Sequence, residues 1–227
     1  MWIKICGIRD ELALQGAVAS GADAVGFNFV AGSPRCVTVE QARQLVARLP
    51  PTVLPVGLFC NQPVEFVLET ARACRLRLVQ LHGDESVAEA AQVAREFPML
   101  RSFNWSDAGL APLAHQLAGL AAAGEEPWGI LVDGPRSGAR TGGTGNRVDW
   151  PRLARDWELA GGWGLPARPR LILAGGLNPA NVAEAVSVAH PDGVDVASGV
   201  ETAPGVKDRE LMLRFCEAAR AGRPVRV

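Results

Sequence analysis

Cys6 ends the apolar run "WIKIC" and stands directly before a glycine. Asp133 ends "WGILVD" in the same way. A thiol at the end of a strand is a small core hydrophobe, a metal ligand or a catalytic group. A carboxyl after four apolar residues must reach solvent or find partners, because a lone buried carboxylate is costly. Two further groups follow apolar runs. His82 comes after "VQL", where it is either a hydrogen-bonded rim residue or part of a site, and Arg35 follows Ser33-Pro34 in a loop.

Glycines add a second signal. "GGTG" (142–145), "GGLNP" (175–179) and "SGVE" (198–201) each lie shortly after an apolar run. Glycine permits positive φ and a close approach of backbone to ligand. One such loop is an ordinary turn. Gly175 and Gly176, Ser198 and Gly199, with Gly143 and Gly145 in a longer loop, form a set suited to a phosphate held by backbone N–H groups. The loop 134–147 is long enough for a lid over a site. The five cysteines form no C-x-x-C pair and no cysteine–histidine group with zinc spacing. Free thiols in a reducing, cytoplasmic setting are the simplest expectation.

The elements that must position these groups alternate along the whole chain. Strands are expected at Trp2–Cys6, Ala24–Phe29, Val53–Phe59, Leu76–Leu81, Met99–Asn104, Gly129–Val132, Leu171–Ala174 and Val194–Ala197. They are short and nearly continuously apolar, as strands covered on both faces should be. Between them run helical patterns, among them Asp10–Ser20, Val39–Arg48, Val64–Cys74, Pro179–Ala189 and Asp208–Ala221. Strict βα alternation implies parallel strands joined by helical crossovers. Eight units in 227 residues predict one (β/α)8 TIM barrel domain spanning 1–227. A doubly wound open sheet is disfavoured by the unit count and by the lack of an early G-x-G-x-x-G. The piece "AGGWGLPARPR" (160–170) reads as an αβ connection on the face away from the chemistry. In such a barrel the site lies at the C-terminal ends of the strands, where Cys6, His82, Asp133 and Asp195 all fall.

Bulk properties narrow the partners. The 23 basic and 24 acidic residues nearly cancel, so no basic surface for nucleic acid or membrane is indicated. No run approaches the ~18 apolar residues of a membrane span, and the start lacks a secretory pattern. A small-molecule ligand is the remaining partner class, with the chain a monomer or a homodimer.

The motifs "KICGI", "GFNFVAGSPR", "VGLFCN", "VQLHGDE", "GGTG…VDW", "LAGGLNPANV" and "GVDVASGVETAPGVKD", in this order, resemble the phosphoribosylanthranilate isomerases of tryptophan biosynthesis over nearly the whole chain. The resemblance implies an Amadori rearrangement of an aminoaldose phosphate to an aminoketose phosphate, without metal or organic cofactor. It implies Cys6 as general base, Asp133 as general acid and Arg35 as the group holding the anthranilate carboxylate. It further implies phosphate binding at Gly175, Gly176, Ser198 and Gly199, with His82, Gly143, Gly145 and Asp195 also on the substrate. Two positions depart from the family pattern. Ala197 stands where a serine is usual, and Gly134 follows the acid.

The reaction asks for these groups on its own terms. Ring opening needs a proton on the ring oxygen, and the resulting Schiff base needs a base at C2′. A free thiol is mostly protonated at neutral pH, so a positive environment lowering the Cys6 pKa is expected, as is an apolar rim favouring protonated Asp133. Three rivals remain. A histidine-pathway aminoaldose isomerase would typically carry an acid where Cys6 stands. A phosphate-binding barrel without catalysis would need neither Cys6 nor Asp133. A scaffold subunit would not gather its polar groups on one face.

Overall fold

The computed structural model describes residues 1–134, 148–159 and 167–222. Eight strands form its centre: β1 (Trp2–Cys6), β2 (Ala24–Asn28), β3 (Leu54–Phe59), β4 (Leu78–Leu81), β5 (Met99–Asn104), β6 (Gly129–Asp133), β7 (Arg170–Leu173) and β8 (Gly193–Val196). Each pairs in parallel with the next, and β8 pairs with β1, closing a barrel. The helices alternate with them as expected: α1 (Glu11–Ala19), α2 (Val39–Val46), α3 (Val64–Ala73), α4 (Val87–Ala94), α5 (Ala111–Ala122), α6 (Trp150–Leu159), α7 (Val182–Ala189) and α8 (Arg209–Ala221). The architecture is the (β/α)8 barrel. No helix among the described residues is long and apolar enough to cross a membrane.

Register decides which side chains face inward. Residues paired across a parallel ladder point to the same side, and successive residues alternate. Lys4 pairs with Asp195, Cys6 with Gly26, Leu58 with Gln80 and Asn104 with Asp133. All of these belong to one inward set. Its lower layers are apolar: Ala24, Val56, Leu78, Leu100, Leu131 and Ile172 pack together inside the barrel. Trp2 and Trp128, with ring centroids 5.1 Å apart, lie below them. The upper layer is polar, and that reversal of polarity marks the site.

The outward set, including Ile5, Phe27, Val79, Ile130, Leu173 and Val194, packs against helix residues such as Leu14, Ala42, Leu113, Leu153, Met212 and Phe215. Full burial of a side chain of this size contributes about 1.5–3 kcal/mol. Local signals start the helices. The Asp10 carboxylate accepts from Ala13 N at the head of α1. Thr38 with Gln41 and Ser86 with Glu89 form reciprocal caps on α2 and α4. A cap of this kind contributes about 1 kcal/mol.

Two differences from the sequence expectation concern the last quarter of the chain. Helix α7 begins at Val182 rather than Pro179, because Asn181 Oδ1 accepts from Asn178 N and its Nδ2 donates to Gly176 O, holding 176–181 as a turn. After β8 the chain makes a short 3-10 turn, Ser198–Val200. It then forms a small hairpin of β9 (Glu201–Ala203) and β10 (Val206–Lys207). Gly205 turns the hairpin at φ +83, and a Cβ there would lie 2.5 Å from Pro34 O. The hairpin is thereby seated on the loop after β2, and it carries two charges to the barrel mouth.

Candidate active site

A cavity at the C-terminal ends of the strands is lined by Cys6, Asn28, Arg35, Gln80, His82, Asp133, Gly175, Gly176, Asp195 and Ser198. β1 and β6, which carry Cys6 and Asp133, are separated around the barrel by other strands on both sides. Cys6 is buried, 4% exposed. Gly26, its ladder partner, leaves room for the thiol: a Cβ there would fall 2.7 Å from Cys6 Sγ. A larger cavity at the opposite end is lined by Trp128, Trp157, Arg168 and His190 among others and contains none of the residues singled out by sequence.

Charge is concentrated beneath and beside the thiol. Lys4, wholly buried and the inward residue one step below Cys6 on the same strand, donates from Nζ to Asp195 Oδ1 at 2.6 Å. Burial works against its charge, but Asp195 and then Cys6 outweigh this and hold the ammonium above its usual range. Lys207 donates to Glu201 Oε1 at 2.7 Å and to the carbonyl of Ala197 at 2.8 Å. Arg35 meets Glu201 through two bonds, Nε to Oε1 at 2.8 Å and Nη2 to Oε2 at 2.7 Å. Burial of Glu201 is outweighed by Arg35 and Lys207, which hold its carboxyl below the usual range. The Arg35 stem crosses Gly7, whose φ is +83 and whose Cβ would lie 2.5 Å from Arg35 Cδ.

The positive surroundings expected for Cys6 are present, yet the net shift runs the other way. Burial pushes the thiol up. Lys4 and Lys207 pull it down, Asp195 opposes them, and burial prevails. Desolvation of a charge at the floor of a closed barrel is large enough to exceed two nearby ammonium groups.

On the far wall, Asp133 Oδ1 accepts from Gly134 N at 2.7 Å. Asp133 Oδ2 lies 3.5 Å from His82 Nε2. His82 Nδ1 is 3.1 Å from Gln80 Nε2, which also reaches Ser102 Oγ at 3.0 Å. The β4–α4 loop that carries His82 is fixed by Glu85, which accepts from Asn61 N and Gly83 N and pairs with buried Arg101.

The glycine loops after β7 and β8 touch. Gly175 and Gly176 have φ of +81 and +67. A Cβ on Gly199 would fall 1.9 Å from Leu177 O, so only glycine lets the 3-10 turn lie against the β7–α7 loop. Among the described residues no group of three or more His, Cys, Asp or Glu side chains could hold a metal ion.

The model of N-(5'-phosphoribosyl)anthranilate isomerases matches residues 3–218. An N-(5'-phosphoribosyl)anthranilate isomerase of Chlorobaculum parvum is 42% identical over 225 residues, covering 96% of this chain and 94% of its own. The chain belongs to the N-(5'-phosphoribosyl)anthranilate isomerase family. The crystal structure of the Thermotoga maritima member superposes with a TM-score of 0.82 at 33% identity, covering 97% of this chain and 98% of that one. A family member in complex with reduced 1-(o-carboxyphenylamino)-1-deoxyribulose 5-phosphate superposes at 0.79, also at 33% identity and with 97% and 98% covered.

Of the residues that the family resemblance singled out, Cys6, Arg35, His82, Asp133, Gly175, Gly176, Asp195 and Ser198 share one cavity, and Gly199 abuts its wall. Gly143 and Gly145 lie outside the described residues, as do most of the loop 134–147 and positions 160–166. Asp195 is bonded to Lys4 as well as lining the cavity. The hydroxyl missing at Ala197 leaves a backbone carbonyl that Lys207 holds. Sequence reasoning passed over Lys4, Lys207 and Glu201. A signal for the first two was present: in a chain with 23 basic residues they are the only lysines, and both side chains are fully buried beside the thiol.

Proposed function

We propose that this chain converts N-(5'-phosphoribosyl)anthranilate to 1-(2-carboxyphenylamino)-1-deoxyribulose 5-phosphate, with Asp133 as general acid and Cys6 as general base. The observation that carries the reading is the placement of these two groups on separated strands of one cavity, with the glycine loops after β7 and β8 on its rim. Protonated Asp133 gives its proton to the ring oxygen. The C1′–O bond breaks, and the nitrogen lone pair forms the C1′=N double bond. The Cys6 thiolate then takes the proton from C2′. The C–H electrons form C1′=C2′ and neutralise the iminium nitrogen, and the enolamine becomes the ketone. Each positioned acid or base contributes roughly 10²–10⁴-fold.

Binding follows from charge and shape. Arg35 already engages a carboxylate in two-pronged fashion, that of Glu201. The same fork suits the anthranilate carboxylate. Gly175, Gly176, Ser198 and Gly199 present backbone to the phosphate. His82 stands beside the acid. No step calls on a metal or organic cofactor.

The reading is tested by generating phosphoribosylanthranilate in situ and following its fluorescence loss with wild type, Cys6→Ser and Asp133→Asn. Loss with wild type, slowed by about 10²–10⁴-fold in each folded variant, is expected. An undiminished rate in either variant removes that residue from its role. No turnover by the wild type overturns the reading as a whole.

A further inference from the structure

The chain carries two lysines, and both are buried just behind the lining of the cavity, Lys4 bonded to Asp195 and Lys207 to the carbonyl of Ala197. All its other basic residues, histidine aside, are arginines. A compact ammonium on a flexible stem reaches one point inside a packed barrel, which a planar guanidinium fork does not. Lys4 is the deeper of the two. Its Cα pairs with that of Asp195 across the β1–β8 ladder, and Cys6 is the next inward residue on β1. Lys4 therefore sits beside Asp195, which it meets across the ladder, and one inward step beneath the sulfur that lines the cavity.

A buried, wholly desolvated lysine needs partners. Asp195 satisfies one of its three N–H donors at 2.6 Å, and Cys6, the next inward residue on β1, is the group directly above the other two. A thiolate at this depth has little water to stabilise it, so a neighbouring ammonium is what a base at this position needs.

We infer that Lys4 is the positioning residue for the general base: it stays protonated throughout, donates to the Cys6 thiolate, and is itself held under the sulfur by Asp195. When Cys6 takes the C2′ proton, an S–H bond forms and the C–H electron pair stays with the substrate. Lys4 loses no proton, and its bond to sulfur weakens as the charge leaves. Asp195 has two opposed effects, fixing the ammonium in place and repelling the thiolate.

The other charged groups facing Cys6 are Lys207 on β10 and Arg35 in the loop after β2, both tied to Glu201, while His82 and Asp133 stand on the opposite wall. They remain in every variant below. The inference rests on Cys6 being the base, but its test does not use turnover, so the two can fail separately.

Ionisation of Cys6 is read in the free protein from ultraviolet thiolate absorbance against pH, with a Cys6→Ser control in each background. Lys4→Met with Asp195→Asn removes both charges and keeps the interior neutral. Its titration is expected to move to higher pH than wild type by about one unit, a tenfold loss of thiolate at a fixed pH below the midpoint. Asp195→Asn alone leaves the ammonium and removes the repulsion, so its titration moves to lower pH. A pair that does not act on the sulfur predicts no such opposition. Unchanged midpoints in the folded double variant, or an upward move in Asp195→Asn, would overturn the assignment.

Discussion

His82 Nε2 faces Asp133 Oδ2 at 3.5 Å, too far for a strong hydrogen bond and close enough for each to sense the other's proton. Behind the ring, Gln80 Nε2 contacts both His82 Nδ1 and Ser102 Oγ, and Gln80 Oε1 has no hydrogen-bond partner among the described residues. With the amide placed so, both its N–H groups are used, one on Ser102 Oγ and one on the lone pair of His82 Nδ1, and a neutral ring then carries its proton on Nε2, facing Asp133 Oδ2.

His82 acting through Asp133 makes their effects non-additive. His82→Gln is expected to lower kcat less than Asp133→Asn does. The double variant is expected to be no slower than Asp133→Asn alone, since residues working as one unit do not add. A double variant slower by the product of the two single losses would assign His82 an independent role.

The depth of Cys6 gives the pH profile its sign. Burial raises the thiol above its ordinary value, so the thiolate fraction in the free protein is still growing beyond pH ~8.5. The ascending limb of kcat/KM, which reports the free enzyme, is therefore expected above that value. A profile already flat below pH 8 would show that the two ammonium groups outweigh burial.

How much of this was legible beforehand differs by element. The barrel strands showed as apolar runs because both their faces are covered, and most of their ends fell within two residues of the reading. Cys6 and Asp133 were visible because each is a reactive group at the end of such a run. Lys4 was not, since within "WIKIC" it reads as an interruption of the apolar pattern rather than as an inward layer. Only the β1–β8 register shows that it faces Asp195, far away in sequence. The hairpin of β9 and β10 has strands of three and two residues, largely exposed, and is held by its seat on Pro34 rather than by its own pattern. Glu201 and Lys207 could therefore not be placed at the site before the fold was known.

Glu201 couples substrate binding to acid stability. Its carboxyl is held low in the folded state, so its contribution is fully present above the unfolded value near 4.5 and is lost as pH falls through the lower folded value. Glu201→Gln is expected to flatten the loss of thermal stability in that acid range while lowering stability at neutral pH, where Lys207 loses its carboxylate. Unfolding midpoints of both proteins from pH 3 to 7 check this sign. A mutant curve that falls as steeply as wild type below pH 4.5 would separate the carboxylate from acid unfolding.

Arg35 is the group whose geometry, rather than charge alone, is at stake. Arg35→Lys keeps a cation but loses the fork. One charge-assisted bond contributes about 1.5–3 kcal/mol, so KM is expected to rise roughly 10–100-fold with kcat changed far less. Steady-state kinetics separate the two constants. An equal fall in kcat would instead place Arg35 at the reacting atoms.

Gly199 ties the phosphate loops together by what it lacks. A Cβ at this position would stand 1.9 Å from the carbonyl oxygen of Leu177 and 3.0 Å from Asn178 Cα. All of these contacts are backbone atoms of the loop after β7, so none can swing away as a side chain would. Gly199→Ala must separate the turn after β8 from the loop after β7. Lys207, which holds Ala197 O, resists that movement from the other side. The variant is expected to fold, with the barrel intact, because the displaced segments lie above the strand ladder. A ligand that binds only the folded state raises the melting temperature in proportion to ln(1 + [L]/Kd). Inorganic phosphate is therefore expected to stabilise wild type and to stabilise Gly199→Ala much less. Equal shifts in the two proteins would mean that the contact between these loops does not shape the anion site.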